Sequence, residues 1–131
     1  MRKSFAGAVL AVAAVAGLTM TASPASAAGS CSAGNICLFE NNDYNQGNTN
    51  HWRDFTGDIR NFNDYKWVGS NDNMDNETSS IKNRGGCTVT LYQDIGWKGD
   101  DSDFANGAND GFLANNKVGD NRASSLDSWC D

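Results

Sequence analysis

One histidine, His51, and two glutamates, Glu40 and Glu77, are all that 131 residues offer of two side chains favoured in acid–base catalysis. His51 stands in the run Asn-His-Trp-Arg-Asp, and nothing at readable spacing makes it a triad member. It reads as an exposed strand histidine. No C-x-x-C occurs among the four cysteines, which with a single imidazole argues against zinc. No basic amphipathic segment of the toxin or antimicrobial kind is present. An EF-hand is excluded as well. Its nearest candidate, DSDFAN at residues 101–106, has Ala105 at the fifth place and Asn106 where glycine is required. Among many aspartates no spacing marks a glycosidase-type pair, which stays a remote alternative. The chain is read as a binding protein and not an enzyme.

What it does have begins with a leader. Arg2 and Lys3 precede an apolar run over residues 6–18, and Ala-Ser-Ala at 25–27 is a small-residue cleavage site. This is a secretory signal peptide over residues 1–27. The apolar run is shorter than the roughly 20 residues of a membrane span, and no second run follows. The expectation is a secreted, extracellular, monomeric domain over residues 28–131, with no membrane partner after cleavage. Without Arg2 and Lys3 the chain carries 8 basic against 16 acidic side chains, a net charge of −8. That balance disfavours nucleic acid and anionic lipid and favours cations. Cys31, Cys37, Cys87 and Cys130 form an even set, which in a small exported chain reads as two disulfides. Three pairings are possible. Cys31 with Cys37 and Cys87 with Cys130 is favoured, because the first pair is local and the second brackets the later half.

The chain also repeats itself. Asp75-Asn76-Glu77-Thr78-Ser79-Ser80 is echoed by Asp120-Asn121-Arg122-Ala123-Ser124-Ser125, and an apolar residue follows each, Ile81 and Leu126. Upstream, Leu38-Phe39 with Tyr44 and Gly47 answers Leu91-Tyr92 with Trp97 and Gly99. The first hairpin has Gln46 where the second spacing puts glycine, and is one residue longer. The copies are offset by 53 at the aromatics and 45 at the hexapeptides, so the first half holds eight extra residues, assigned to 61–72. Strand runs are expected at 36–40, 49–55, 79–83, 88–93, 101–104 and 124–129. Val89 and Leu91 alternate with Thr88, Thr90 and Tyr92 in the period of a half-buried strand. No stretch of 11 or more residues beyond the leader carries a good helical period. The fold class that follows is all-β, a β-sandwich of two Greek-key motifs, the first over about 36–83 and the second over about 87–130.

The paired signatures resemble the two Greek keys of a βγ-crystallin domain. They are Phe39, Tyr44 and Gly47 with the first hexapeptide, and Tyr92, Trp97 and Gly99 with the second. The opening CSAGNICLFENNDY resembles secreted microbial proteins of the metalloproteinase-inhibitor family, themselves βγ-crystallin-like. That resemblance implies a peptidase inhibitor acting on an extracellular protease through a rigid loop, with the segment from Cys31 to Cys37 as the family's first small loop. The family's second short cysteine-bounded loop is missing, since Cys87 and Cys130 lie far apart. The alternative is a secreted structural or toxin-like crystallin-fold protein.

The hexapeptides suit a hard cation, which takes six to eight oxygens, many of them carbonyls. Asp and Asn offer side-chain oxygens while Asx turns expose backbone carbonyls. The two serines enter a strand, where neighbours point to opposite faces. Ser79 and Ser124 are therefore expected to face the loop, and Ser80 and Ser125 to bond the hairpin of their own repeat. The resemblance implies two Ca²⁺ ions between adjacent loops. Asp75, Asn76, the Glu77 carbonyl and Ser79 would stand opposite Asp120, Asn121, the Arg122 carbonyl and Ser124, with Glu40 and Gln93 as hairpin donors. Few carboxylates per site imply affinity within about 10⁻⁶–10⁻³ M. Asn76-Glu77-Thr78 is also a glycosylation sequon, whose use would block a proposed ligand.

Overall fold

A computed structural model describes residues 31–130, so the expected leader lies outside the described residues. The described residues form seven strands: β1 (Ile36–Phe39), β2 (Trp52–Phe55), β3 (Ser80–Asn83), β4 (Thr88–Asp94), β5 (Lys98–Phe104), β6 (Asn109–Asp110) and β7 (Ser125–Trp129). They make two antiparallel sheets ordered β2-β1-β3-β6 and β5-β4-β7. The six expected strands are all present, displaced by a few residues at their ends.

The third strand of each key was not legible, and it is the strand that ties the keys together. β6 belongs to the second half by sequence, yet pairs with β3 of the first through Ile81 and Lys82. Its counterpart in the first half is a single residue, Ile59, bridged to Leu126 of β7 by two hydrogen bonds of 2.8 Å. One or two residues have no period to read. Their pairing is a consequence of how the halves pack.

Between the sheets lies one core of Ile36, Leu38, Phe55, Phe62, Trp67, Met74, Ile81, Val89, Leu91, Phe104, Leu113, Val118 and Leu126, with Ala123. β1 is buried on both faces. Its outward Cys37 and Phe39 join Cys31 under Tyr44 and Trp52 in a second, smaller cluster. β4 departs from strict alternation too. Thr90 is buried, with its hydroxyl donating to Asp103 at 2.6 Å and accepting from Trp129 Nε1 at 3.1 Å. Disulfides join Cys31 to Cys37 and Cys87 to Cys130.

The extra residues of the first key reach into the core at two points. They contain a 3₁₀ turn, Phe62–Asp64, and a bridged excursion closed by Lys66 and Asn73. Phe62 and Trp67 from this stretch, and Met74 just after it, are wholly or almost wholly buried. The second key has only the corresponding turn, Leu113–Asn115. The two turns dock alike: Phe62 N–H donates to the Ser124 carbonyl at 2.9 Å, and Leu113 N–H to the Ser79 carbonyl at 3.0 Å.

Candidate cation-binding site between the two loops

The hexapeptides lie side by side and are bonded to one another by near-twofold pairs. Asn76 N–H donates to the Ala123 carbonyl and Asn121 N–H to the Thr78 carbonyl, each at 3.0 Å. Ser79 Oγ donates to Asn121 Oδ1 at 3.1 Å, and Ser124 Oγ to Asn76 Oδ1 at 3.3 Å. Both asparagines have positive φ, 58° and 55°. Asparagine is among the few residues that visit this region routinely, so the second place of each hexapeptide is set by backbone as well as by oxygen chemistry.

The second serine of each pair points the other way. Ser80 Oγ donates to the Asn41 carbonyl at 2.7 Å and accepts from Tyr44 N–H at 3.1 Å. Ser125 Oγ donates to the Asp94 carbonyl at 2.6 Å and accepts from Trp97 N–H at 3.0 Å. Each hydroxyl thereby satisfies a donor and an acceptor of its own hairpin at a fully buried position.

The hairpins reach this geometry differently. In the second, Gly99 has φ +82°, and a Cβ there would meet Asp94 Oδ2 at 2.7 Å. The first has no glycine at that place, and Asp43, Tyr44, Asn45 and Gln46 all adopt φ between 43° and 63°. Left-handed backbone costs roughly 1–2 kcal/mol per non-glycine residue, so something must hold it. Buried Asn45 does so. Its Oδ1 accepts from Asn41 N–H at 2.8 Å, and its Nδ2 donates to the carbonyls of Asn50 and His51 at 3.0 and 2.8 Å.

Between the first hairpin and the loops lies a cleft of about 440 Å³. Glu40, Asn41 and Asn42 line it from the hairpin, Asn76, Glu77 and Ser79 from the adjoining loop, and Asp120 and Asn121 from the other. Six of the ten ligands expected from the sequence thus meet in one place. Asp75, Gln93, Arg122 and Ser124 are not among its walls. Gln93 Nε2 donates to the Val118 carbonyl at 3.0 Å, and the Arg122 side chain is exposed. Asn41 and Asn42 line the cleft without having been singled out. A polar run after a strand carries no sign of which residues fold inward.

Asp75 Oδ1 and Asp120 Oδ1 are buried and have no hydrogen-bond partner. A buried acceptor without a partner is costly. Oxygen-only donors around such atoms fit a hard divalent cation. Among the described residues no group of three or more His, Cys, Asp or Glu side chains gathers closely enough to hold a metal ion by itself. Carboxylates are interleaved here with amides, hydroxyls and carbonyls. His51 is not an exposed strand residue. It precedes β2 with φ 61°, half-buried, its Nδ1 against the Glu40 carboxylate rather than a nucleophile.

Known structures place this architecture. The chain matches a structure that bears on the evolution of the eye-lens βγ-crystallin domain fold, at 16% identity and TM-score 0.61, covering 79% of this chain and 92% of the other. It matches a βγ-crystallin from Ciona intestinalis at 20% identity and TM-score 0.57, covering 73% and 100%. It also matches the N-terminal domain of protein S at 27% identity and TM-score 0.52, covering 73% and 96%. The fold is that of the βγ-crystallin domain, an all-β pair of Greek keys. A search of curated proteins finds no match. The family model of peptidase inhibitor family I36 matches residues 24–104, and the chain belongs to that family. Membership makes it a protein of a group that acts by binding peptidases.

Proposed function

We propose that this chain is a secreted inhibitor of an extracellular metalloproteinase, built on a βγ-crystallin domain that Ca²⁺ braces at the paired loops. Two disulfides and the leader motif support export. The observation that carries the cation is the first cleft, where Glu40, Glu77, Ser79 and Asp120 converge and Asp120 Oδ1 is buried without a partner. Glu40, the Asn76 and Glu77 loop oxygens, Ser79, Asp120 and Asn121 would hold the ion there. Asp75, the Arg122 carbonyl, Ser124 and Gln93 belong to the pseudo-equivalent second position. The bound ion supplies positive charge among oxygens that otherwise repel, and performs no chemistry.

Inhibition needs a surface that is already ordered, since a loop that loses no entropy on binding forfeits none of its contact energy. The Cys31 to Cys37 segment meets that need. Arg84 Nη1 donates to the Cys31 carbonyl, Gly34 N–H donates to the Arg84 carbonyl at 2.8 Å, and Arg84 N–H to the Asn35 carbonyl at 3.0 Å. Ser32 and Ala33 remain exposed on this fixed frame. Titration against a thermolysin-type and a subtilisin-type enzyme tests the reading. Stoichiometric loss of activity in the first supports it, and full activity of both at micromolar excess removes it. Isothermal titration of the chelator-stripped protein tests the cation, with about two Ca²⁺ per chain expected.

A further inference from the structure

The two loops are near-twins in backbone but not in charge or support. At the third place of the hexapeptide the first loop has Glu77 and the second has Arg122; at the hairpin, Glu40 is matched by Gln93. The first cleft is therefore lined by three carboxylates, from Glu40, Glu77 and Asp120. The second position keeps Asp75, places a guanidinium where the first has a carboxylate, and has its hairpin amide engaged by the Val118 carbonyl.

Support differs as well. The first key's excursion inserts almost wholly buried Trp67 into the core, and its Nε1–H donates to Glu77 Oε2 at 2.9 Å. The bond from the neighbouring turn, Asn63 Nδ2 donating to Asp75 Oδ2 at 3.2 Å, reaches the second position and not the first cleft. A flexible glutamate that lines a cleft loses rotamer freedom on binding an ion. One already held by a rigid indole loses less. The second key has no comparable excursion after its 3₁₀ turn, so Arg122 stands exposed.

We infer that the first key's insertion is a positioning device: Trp67 holds the Glu77 carboxylate in the first cleft, where it joins the Glu77 carbonyl as a donor and makes that cleft the tighter of two unequal Ca²⁺ sites. This rests on the cation reading above. Trp67 is a positioning residue, touching the ligand-bearing side chain and not the ion, and its indole is a built-in reporter of the first site alone.

The test is isothermal titration of the chelator-stripped, disulfide-bonded protein with CaCl₂, with tryptophan emission followed in parallel. The parent is expected to bind in two resolved steps. The emission difference between parent and Trp67→Phe should change during the first step only. Glu77→Gln and Trp67→Phe should each weaken the first step about tenfold, the size of one charge-assisted hydrogen bond, and leave the second in place. Arg122→Glu should tighten the second step and bring the two together. Should Trp67→Phe not fold, Glu77→Gln and Arg122→Glu decide the matter. Two equal sites in the parent would overturn this inference alone, as would Glu77→Gln without effect on the first step, or Trp67→Phe weakening both equally. A parent giving no heat at millimolar Ca²⁺ overturns the cation reading and this inference with it.

Discussion

Ser79 Oγ and Asn121 Oδ1 lie 3.1 Å apart across 42 positions of sequence. Ser124 and Asn76 repeat the bond across 48. A hydroxyl from each hexapeptide is thus oriented by an amide from the other, so neither loop has its working geometry alone. The one-residue alternation of a strand makes the following serine serve the hairpin instead.

That division predicts two behaviours from four similar substitutions. If Ca²⁺ binds only the folded state, each site adds about 2.7 kcal/mol when calcium is 100-fold above Kd. In a domain this small, 1 kcal/mol moves Tm by roughly 4–8 °C. Ser79→Ala and Ser124→Ala should each shrink the calcium-induced rise in Tm. Ser80→Ala and Ser125→Ala should lower Tm even in chelator, by about 1–3 kcal/mol, because each removes a fully buried hydroxyl that bridges an N–H and a carbonyl of its hairpin. Calorimetry with and without Ca²⁺ separates the pairs, and four identical responses would refute the assignment.

Asn45 is the residue on which the first hairpin depends, since none of its four left-handed residues 43–46 is glycine. Asn45→Ala removes one acceptor and two donated bonds while four left-handed residues remain to be held. A loss of about 2–4 kcal/mol is expected from unfolding in urea. Gln46→Gly should move the other way, by a few tenths to 1 kcal/mol, since φ 43° costs glycine nothing. A stable Asn45→Ala protein would mean the hairpin is held elsewhere.

The acid side of the stability profile should bear the mark of Asp127. Burial pushes its carboxyl up, and the neighbouring Asp58 carboxylate pushes it the same way. A folded-state pKa above the unfolded one means the folded protein binds the proton better. The resulting stabilisation is complete below the ordinary value of 3.8 and is lost as pH rises through the raised value. Asp127→Asn should therefore raise Tm at pH 7 in chelator, with the gain fading as the parent is brought below that value. An equal or lower Tm at pH 7 would contradict it.

The two disulfides should differ in worth. Their separations are 6 and 43 residues. Loop-closure entropy gives about 2.4 kcal/mol for the short bridge and about 4 kcal/mol for the long one at 25 °C. Cys87→Ser with Cys130→Ser should cost more, seen as the larger drop in urea midpoint. The reverse order would point to the short bridge acting through the outer cluster of Phe39, Tyr44 and Trp52 that it packs against.

Much of this molecule was written locally. The doubled hexapeptide, the paired aromatics and the alternation in β4 needed only neighbouring residues to be read, because strand period and turn chemistry are properties of a few consecutive side chains. So were the directions expected of the serine pairs, which follow from the pleat. The fold class came with them. Tertiary structure alone decided the rest. Ile59 and β6 pair where they do because each found an edge in the sheet of the other half, and a one- or two-residue pairing has no signal of its own. Thr90 was buried, against the period, because Asp103 and Trp129 satisfied its hydroxyl. The extra residues of the first key are located at 61–72 by counting alone, and only packing shows that Phe62 and Trp67, with Met74 just beyond, fill the space between the sheets. The contact of Trp67 with Glu77 was beyond any spacing rule, since it depends on where the excursion folds back and not on the ten positions that separate them.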